Sequence, residues 1–317
     1  MTSYLAKLCN FSNNYPVDKL FSQRCGMIYH YTKIKTFETI SKEVQLRFVD
    51  RFCLNDSSEG IYILQLCLEN ADSLYFPHPI IKEEFMKKCK ALIASPKYDD
   101  FRVYQASFTT NPDSLLMWNY YGKEGCNLGF LKNDLRKSIK PIVREGKKAP
   151  QLHCGRVLYD PKKQIEIIRK VVKEYFSVDN YFEDMGPVGR PGSKLGEAYL
   201  TVNILLEKLM TIGIFMKAPY FKDEKEYRFA LEMKVENIDT DRMEYALIKD
   251  KIKRIKREGI TAECVDISFA PKALKSICIG PTLVFSDEKT RIQKKAEGVF
   301  PSIGSGNIIA SKIPLRF

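Results

Sequence analysis

Residues 215–232 read FMKAPYFKDEKEYRFALE, a mixed acidic and basic turn followed by alternating aromatic and apolar residues. Tyr227, Phe229 and Leu231 fall on alternate positions, the period of a strand with one face in a core. Glu224 and Glu226 stand two apart at its leading edge, so a strand running through both sends their carboxylates to one side. Arg228 has the parity of Glu226 and faces with it, away from Tyr227 and Phe229. What the two carboxylates do depends on which groups the rest of the chain brings to them.

The chain has 317 residues, enough for one large domain or two ordinary ones, and 19 Phe and 17 Tyr supply a sizeable core. No apolar run approaches the ~20 residues of a membrane span, so no membrane partner is expected. The first residues, MTSYLAKLCNFSNNYP, lack the basic-then-apolar order of a secretory signal. Nine cysteines are scattered singly without a CxxC pair, the usage of reduced thiols in cytoplasm. His30, His78 and His153 form no zinc spacing with them, and no metal is expected. The net charge of +12 suits a polyanion or a phosphate-bearing ligand, and equally a solvated surface.

Short strands alternate irregularly with helices. Strands are expected at 27–32, 46–49, 103–109, 126–131, 155–159, 260–269, 276–279 and 308–317, with amphipathic helices at 80–95, 161–176, 195–215 and 286–296. Asn111-Pro112-Asp113 has the composition of a helix start for 113–121. Residues 184–193, DMGPVGRPGS, make the clearest break and are expected to be a loop. The pattern predicts an α+β fold: a mixed, mostly antiparallel sheet core of short strands with several flanking helices, in one domain carrying a helical insertion at about 132–215.

Six blocks stand out in order: YHYT at 29–32, CLNDSSE at 53–59, ASFTTNPDSLLMWNYYGKEGCNLGF at 106–130, KAPYFKDEKEYRFAL at 217–231, ICIGP at 277–281 and the terminal IPLRF. Their order and chemistry resemble the bacterial domain-of-unknown-function family 2971, across nearly the whole chain. Ser57 stands where that family's Asn-Asp-Pro motif has proline. The family name carries no reaction.

Three of the blocks also resemble the ordered motifs of ADP-ribosyltransferases: His30 in YHYT, Ser107 to Thr110 in SFTT, and Glu224-Lys225-Glu226 before YRFAL. That resemblance implies NAD as substrate and an ADP-ribosyltransferase-like core, in a transferase or NAD glycohydrolase acting as an intracellular toxin or phage-defence effector on a nucleic-acid or protein acceptor, with an inhibitory partner. Cleaving the nicotinamide–ribose bond develops positive charge on the ribose, which a preorganised carboxylate stabilises. The implied roles follow. Glu226 holds the ribose and the charge, Glu224 orients or deprotonates the acceptor, and His30 and its neighbour Tyr31 contact the cofactor. Ser107 positions Glu226, Thr109 belongs with it to the cofactor-binding set, Trp118, Tyr120 or Tyr121 stacks on a ring, and Arg228 pairs the diphosphate.

Each residue also has a plainer role. Glu224 and Glu226 can be a solvated strand start, His30 an edge histidine, Trp118 a core residue on a stripe with Leu115 and Tyr121, and Arg228 the ion-pair partner of Glu226. Asn55, Asp56 and Glu59 can be a capping turn or a ligand loop. KDKIKRIKRE at 249–258 supports the other function class, a basic nucleic-acid-binding protein or a metal-independent ribonuclease using His30 with Glu226.

Overall fold

The computed structural model describes residues 3–22, 26–54, 56, 58–95, 101–141, 150–178, 193–234, 236–237, 243–244, 252–257 and 260–314. Helices α1 (Ser3–Asn14) and α2 (Val17–Leu20) precede strand β1 (Met27–Lys33), helix α3 (Ile34–Glu43) and strand β2 (Gln45–Asp50). Helices α4 (Tyr62–Glu69) and α5 (Pro79–Ala94) come next, then β3 (Phe101–Thr109), α6 (Leu115–Tyr120), β4 (Gly125–Leu131), α7 (Lys132–Ser138) and β5 (Gln151–Arg156). Helices α8 (Pro161–Phe176) and α9 (Ser193–Gly213) lead to β6 (Glu226–Lys234), the short β7 (Glu236–Asn237) and β8 (Met243–Glu244), and β9 (Ile252–Arg257). The chain ends with β10 (Ile260–Ser268), β11 (Leu274–Ile279), α10 (Phe285–Ala296) and β12 (Ile308–Ala310).

Among the described residues, ten strands form one sheet in the order β12-β11-β4-β1-β3-β2-β10-β9, with β6 paired to β3 and β5 to β6. Its registered pairs are antiparallel except β11 with β12. This is an α+β fold with a mostly antiparallel sheet. No described helix is long and apolar enough to cross a membrane.

The chain divides into two compact units, one of residues 1–21, 54–101 and 157–220, the other of residues 22–53, 102–156 and 221–317. The first unit is helical. Val202, Leu205, Leu206, Leu209, Met210 and Ile212 bury most sides of α9, so it is the central helix of the unit. Helix α8 opens on Asp160, whose carboxylate accepts from the Lys162 and Lys163 amides, and it buries Ile165, Ile168, Val172 and Tyr175 at helical spacing. His78 caps α5: its Nδ1 accepts from the Ile80 amide at 3.2 Å, with Pro79 in the first turn.

The second unit holds the sheet. Its core takes Ile28 from β1, Phe48 from β2, Phe108 from β3, Phe130 from β4, Tyr227, Phe229 and Leu231 from β6, and Ile277 from β11. Phe108 meets Phe130 at 5.9 Å and Phe229 at 5.5 Å, both edge-on.

Three sequence expectations shift, and a fourth falls almost wholly outside the described residues. The strand expected at 155–159 runs over Gln151–Arg156, because it follows β6 in register from Gln151 opposite Glu232 to Arg156 opposite Tyr227. The cap of α6 is Ser114, whose hydroxyl accepts from the Met117 amide, so the helix starts later than Asn111 and Asp113 suggest. The last strand stops at Ala310; Ser311 to Pro314 leave the sheet, and 315–317 lie outside the described residues. The expected loop at 184–193 falls outside them too, except Ser193, which begins α9.

Candidate functional site

Glu226 is the first residue of β6, whereas Glu224 closes the 3-10 turn Pro219–Glu224 ahead of it. Lys225 between them is left-handed, with φ 45°. The two carboxylates therefore do not share one strand, and the i, i+2 geometry expected for them does not form. A non-glycine residue held in that conformation costs about 1 kcal/mol or more and persists only where its surroundings impose it. Glu226 is buried at 5% exposure and grips Arg228, itself 0% exposed, in a fork. Arg228 Nε donates to Glu226 Oε1 and Nη2 to Oε2, each at 2.8 Å.

Strand β3 ties this turn to the sheet. The Thr109 hydroxyl donates to the Glu224 carbonyl at 2.7 Å and itself accepts from the Asn111 amide. The Thr110 amide donates to the Lys225 carbonyl at 3.0 Å. Across the other strand contact, Tyr29 of β1 stands opposite Thr109. His30 Nδ1 lies 3.1 Å from the Ser107 carbonyl, which it reaches as a donor. The segments YHYT, SFTT and EKE thus meet along β1, β3 and the turn into β6.

Alternation sorts their side chains. Half-buried His30 stands opposite Leu128 and packs on Phe108, so it is on the core face. Burial holds its imidazole below the ordinary value, against the pull of the Ser107 carbonyl. Tyr29, Tyr31, Ser107 and Thr109 face the other way. Glu226 and Arg228 also point away from the core that takes Tyr227 and Phe229. The outward face of β1, β3 and β6 gathers Tyr29, Tyr31, Ser107, Thr109, Glu226 and Arg228; His30 is not on it.

Trp118 and Tyr31 form an edge-on pair with centroids 4.6 Å apart, packed with Met117 and Cys278 and flanked by Tyr29, Tyr121 and Ile313. Trp118 rests against Gly122, where a Cβ would sit 2.5 Å from its ring and 3.1 Å from Tyr31. The Tyr31 hydroxyl donates to the Asn111 carbonyl and accepts from the Ser114 amide, and burial raises its pKa. The Cys278 thiol is pushed by burial up to about 12, so it is no nucleophile at neutral pH. Tyr120 is 74% exposed, its ring 6.4 Å from that of Tyr121.

One pair escaped the sequence. His153 Nε2 lies 3.0 Å from Glu232 Oε2, and both are buried. His153 stands opposite Ala230, so it shares the outward face of β6 with Arg228 and Glu232. A strand at 155–159 excludes His153; the parity of Glu226, Arg228 and Glu232 is the sequence signal for its face.

Of the basic stretch 249–258, the described part is β9 at the sheet edge. Lys253 pairs with Asp266 at 2.9 Å, an acid it shares with Arg47, and Arg254 pairs with Glu263 at 3.2 Å. In the first unit, Asp56 Oδ1 accepts from the Ser58 amide and hydroxyl, an Asx turn that caps no helix, since α4 has Ile61 at its N-cap and no side-chain cap, and Glu59 lies 4.0 Å from Lys217. Asn55 and Ser57 lie outside the described residues.

Fold and site together describe an α+β protein with a buried carboxylate–guanidinium fork at the start of a sheet strand. Residues 117–229 match the family described as "Protein of unknown function (DUF2971)". That match begins in α6, ends within β6 and takes in Trp118, Glu226 and Arg228. No curated protein and no solved structure matches the chain.

Proposed function

We propose that the chain is an NAD-using ADP-ribosyltransferase-like enzyme, or the glycohydrolase that the same site gives when water is the acceptor. The carrying observation is the convergence of three distant segments: Tyr29 opposite Thr109, the Thr109 hydroxyl on Glu224, and Thr110 on Lys225, immediately before Glu226. This fixes one carboxylate at the sheet, and the Arg228 fork sets its orientation. As the nicotinamide–ribose bond lengthens, positive charge grows on the ribose, and a preorganised carboxylate stabilises that charge without reorganising. Glu226 takes this role. Ser107, on the same face, orients the ribose through its hydroxyl. His30, on the core face, supports β1 against β3 rather than touching substrate.

The test is nicotinamide release from NAD by purified protein, with Glu226→Gln and Ser107→Ala beside it. Release that falls at least about a hundredfold in Glu226→Gln, the scale of losing one preorganised electrostatic group, supports the assignment, provided the variant's unfolding midpoint shows it folded. No release and no NAD binding by the unaltered protein would falsify it.

A further inference from the structure

Beyond Ala310 the chain turns from the sheet onto the aromatic cluster. The Ser311 amide still donates to the Ile279 carbonyl at 2.9 Å. Then the Ser311 hydroxyl donates to Asp113 Oδ1 and the Lys312 amide to Asp113 Oδ2, both at 2.7 Å. The Ile313 amide donates to Ser311 Oγ at 3.2 Å. Trp118 Nε1 donates to the same Asp113 Oδ1 at 2.6 Å, so one carboxylate ties the C-terminal segment to the tryptophan. Ile313 lands on the cluster of Tyr31, Met117, Trp118 and Cys278, beside Tyr29 and Tyr121.

Two features separate this contact from ordinary core. Tyr29, Tyr121 and Ile313 are only half-buried, so the aromatic surface under Ile313 borders solvent. Asn127, 1% exposed and on the face of Tyr31 and Cys278, donates through Nδ2 to the Pro112 carbonyl, while its Oδ1 accepts from no described group. A buried acceptor without a donor is uncommon in native proteins, and a ligand bearing an amide or amino group satisfies it. Aromatic faces take planar rings by offset stacking or edge-on contact.

We propose that this cluster is a binding site for a planar heteroaromatic ring bearing a hydrogen-bond donor, an adenine-type base or a nicotinamide, and that Ser311–Ile313 is the chain's own occupant, displaced when the ring enters. The proposal rests on the NAD reading for its natural ligand only. Three hydrogen bonds and one half-buried isoleucine hold the strap, the kind of segment that opens by local unfolding. A strap closed nine-tenths of the time weakens ring binding about tenfold, because only the open fraction competes.

The probes are adenosine monophosphate and nicotinamide mononucleotide, titrated against the full chain, Ile313→Ala and Ser311→Ala. Quenching of Trp118, the one tryptophan of the sequence, reports binding, and calorimetry checks it. Each variant is expected to bind at least one probe more tightly, by up to about tenfold. Tighter adenosine monophosphate binding assigns the base, and tighter nicotinamide mononucleotide binding assigns the nicotinamide. In the unaltered protein, a saturating probe is expected to speed hydrogen exchange at the Lys312 and Ile313 amides, a measurement independent of whether a variant folds. Unchanged affinities in both variants, unchanged exchange, or no binding of either probe overturns the proposal. Nicotinamide release from NAD separates the two ideas: strap-dependent probe binding without release sinks the transferase reading alone, and release with strap-independent binding sinks the strap alone.

Discussion

On β6, Arg228 grips Glu226 from a side chain with 1% of its surface exposed, whereas on β9 Arg254 reaches Glu263 from one that is 75% exposed. Both are arginine–glutamate pairs of one unit, the first two residues apart along β6, the second across the antiparallel pair β9–β10. In the buried pair the fork is bidentate at 2.8 Å, and removing one side chain takes a bidentate charge partner from a buried group, which is costly in a low-dielectric setting. In the exposed pair both Arg254 nitrogens converge on a single oxygen at 3.2–3.3 Å, and water competes for it. Charge counted along the sequence treats the two alike. Burial separates them, and of the two only the buried pair is held in a bidentate geometry.

Four experiments tell the buried pair from the exposed one. The largest effect is expected from Arg228→Met, which should lower unfolding free energy by about 3–5 kcal/mol in urea titrations. Arg254→Met should cost less than about 1 kcal/mol, and less again in high salt. Equal losses would erase the distinction. Second, Glu226→Met combined with Arg228→Met should recover much of the single-variant loss, since replacing a whole buried pair with apolar residues is often neutral to stabilising by about 1–4 kcal/mol. A double variant as unstable as the sum of its parts would mean the fork stabilises beyond mutual compensation.

Third, Thr109→Val removes the hydroxyl that donates to the Glu224 carbonyl and should cost about 1 kcal/mol. A larger fall in nicotinamide release than in stability would show that the bond positions Glu226. The smallest effect is a slope. His30 has a folded-state pKa below its ordinary 6.5, so the unfolded chain binds the extra proton first. Its contribution is fully present above pH 6.5 and is lost as pH falls through the folded value; in His30→Gln that part of the slope should vanish. Asp266 titrates elsewhere. Burial raises its pKa, but the hydrogen bonds from Arg47 and Lys253 prevail and bring it below 3.8, so its contribution is lost only in stronger acid. Urea midpoints across pH therefore separate the two regions.

Much of the sheet was legible because β6 and the edges of β3 and β4 carry a pattern that only a strand satisfies. Alternation predicted β6 from Tyr227, Phe229 and Leu231, and these three enter the core. Helical periodicity marked α5 and α8, expected as amphipathic helices at 80–95 and 161–176. What failed depended on distant partners. Nothing local marks His153 for burial; Glu232, 79 residues away, does. Strand β1 buries residues on both faces, Ile28 on one and Tyr31 on the other, so its sequence does not say which way His30 turns. Glu224 left the strand because Lys225 turns left-handed, and neither neighbour is a glycine that would have announced it. The Glu226–Arg228 pairing, by contrast, follows from parity alone and needed no distant partner.

The interleaving of the two units has a consequence for the order in which they are completed on the ribosome. The helical unit draws on residues 1–21, 54–101 and 157–220, so all its segments exist once Tyr220 has been synthesised. The sheet unit cannot close then. Strand β2 awaits β10, which pairs Val49 with Cys264, and β4 awaits β11, which pairs Leu128 with Ile277. Until those last strands emerge, β2 and β4 each have an unpaired edge, the state in which sheet proteins are most exposed to wrong partners. A chain cut short after β6 would keep every segment of the helical unit and leave the sheet open on both flanks.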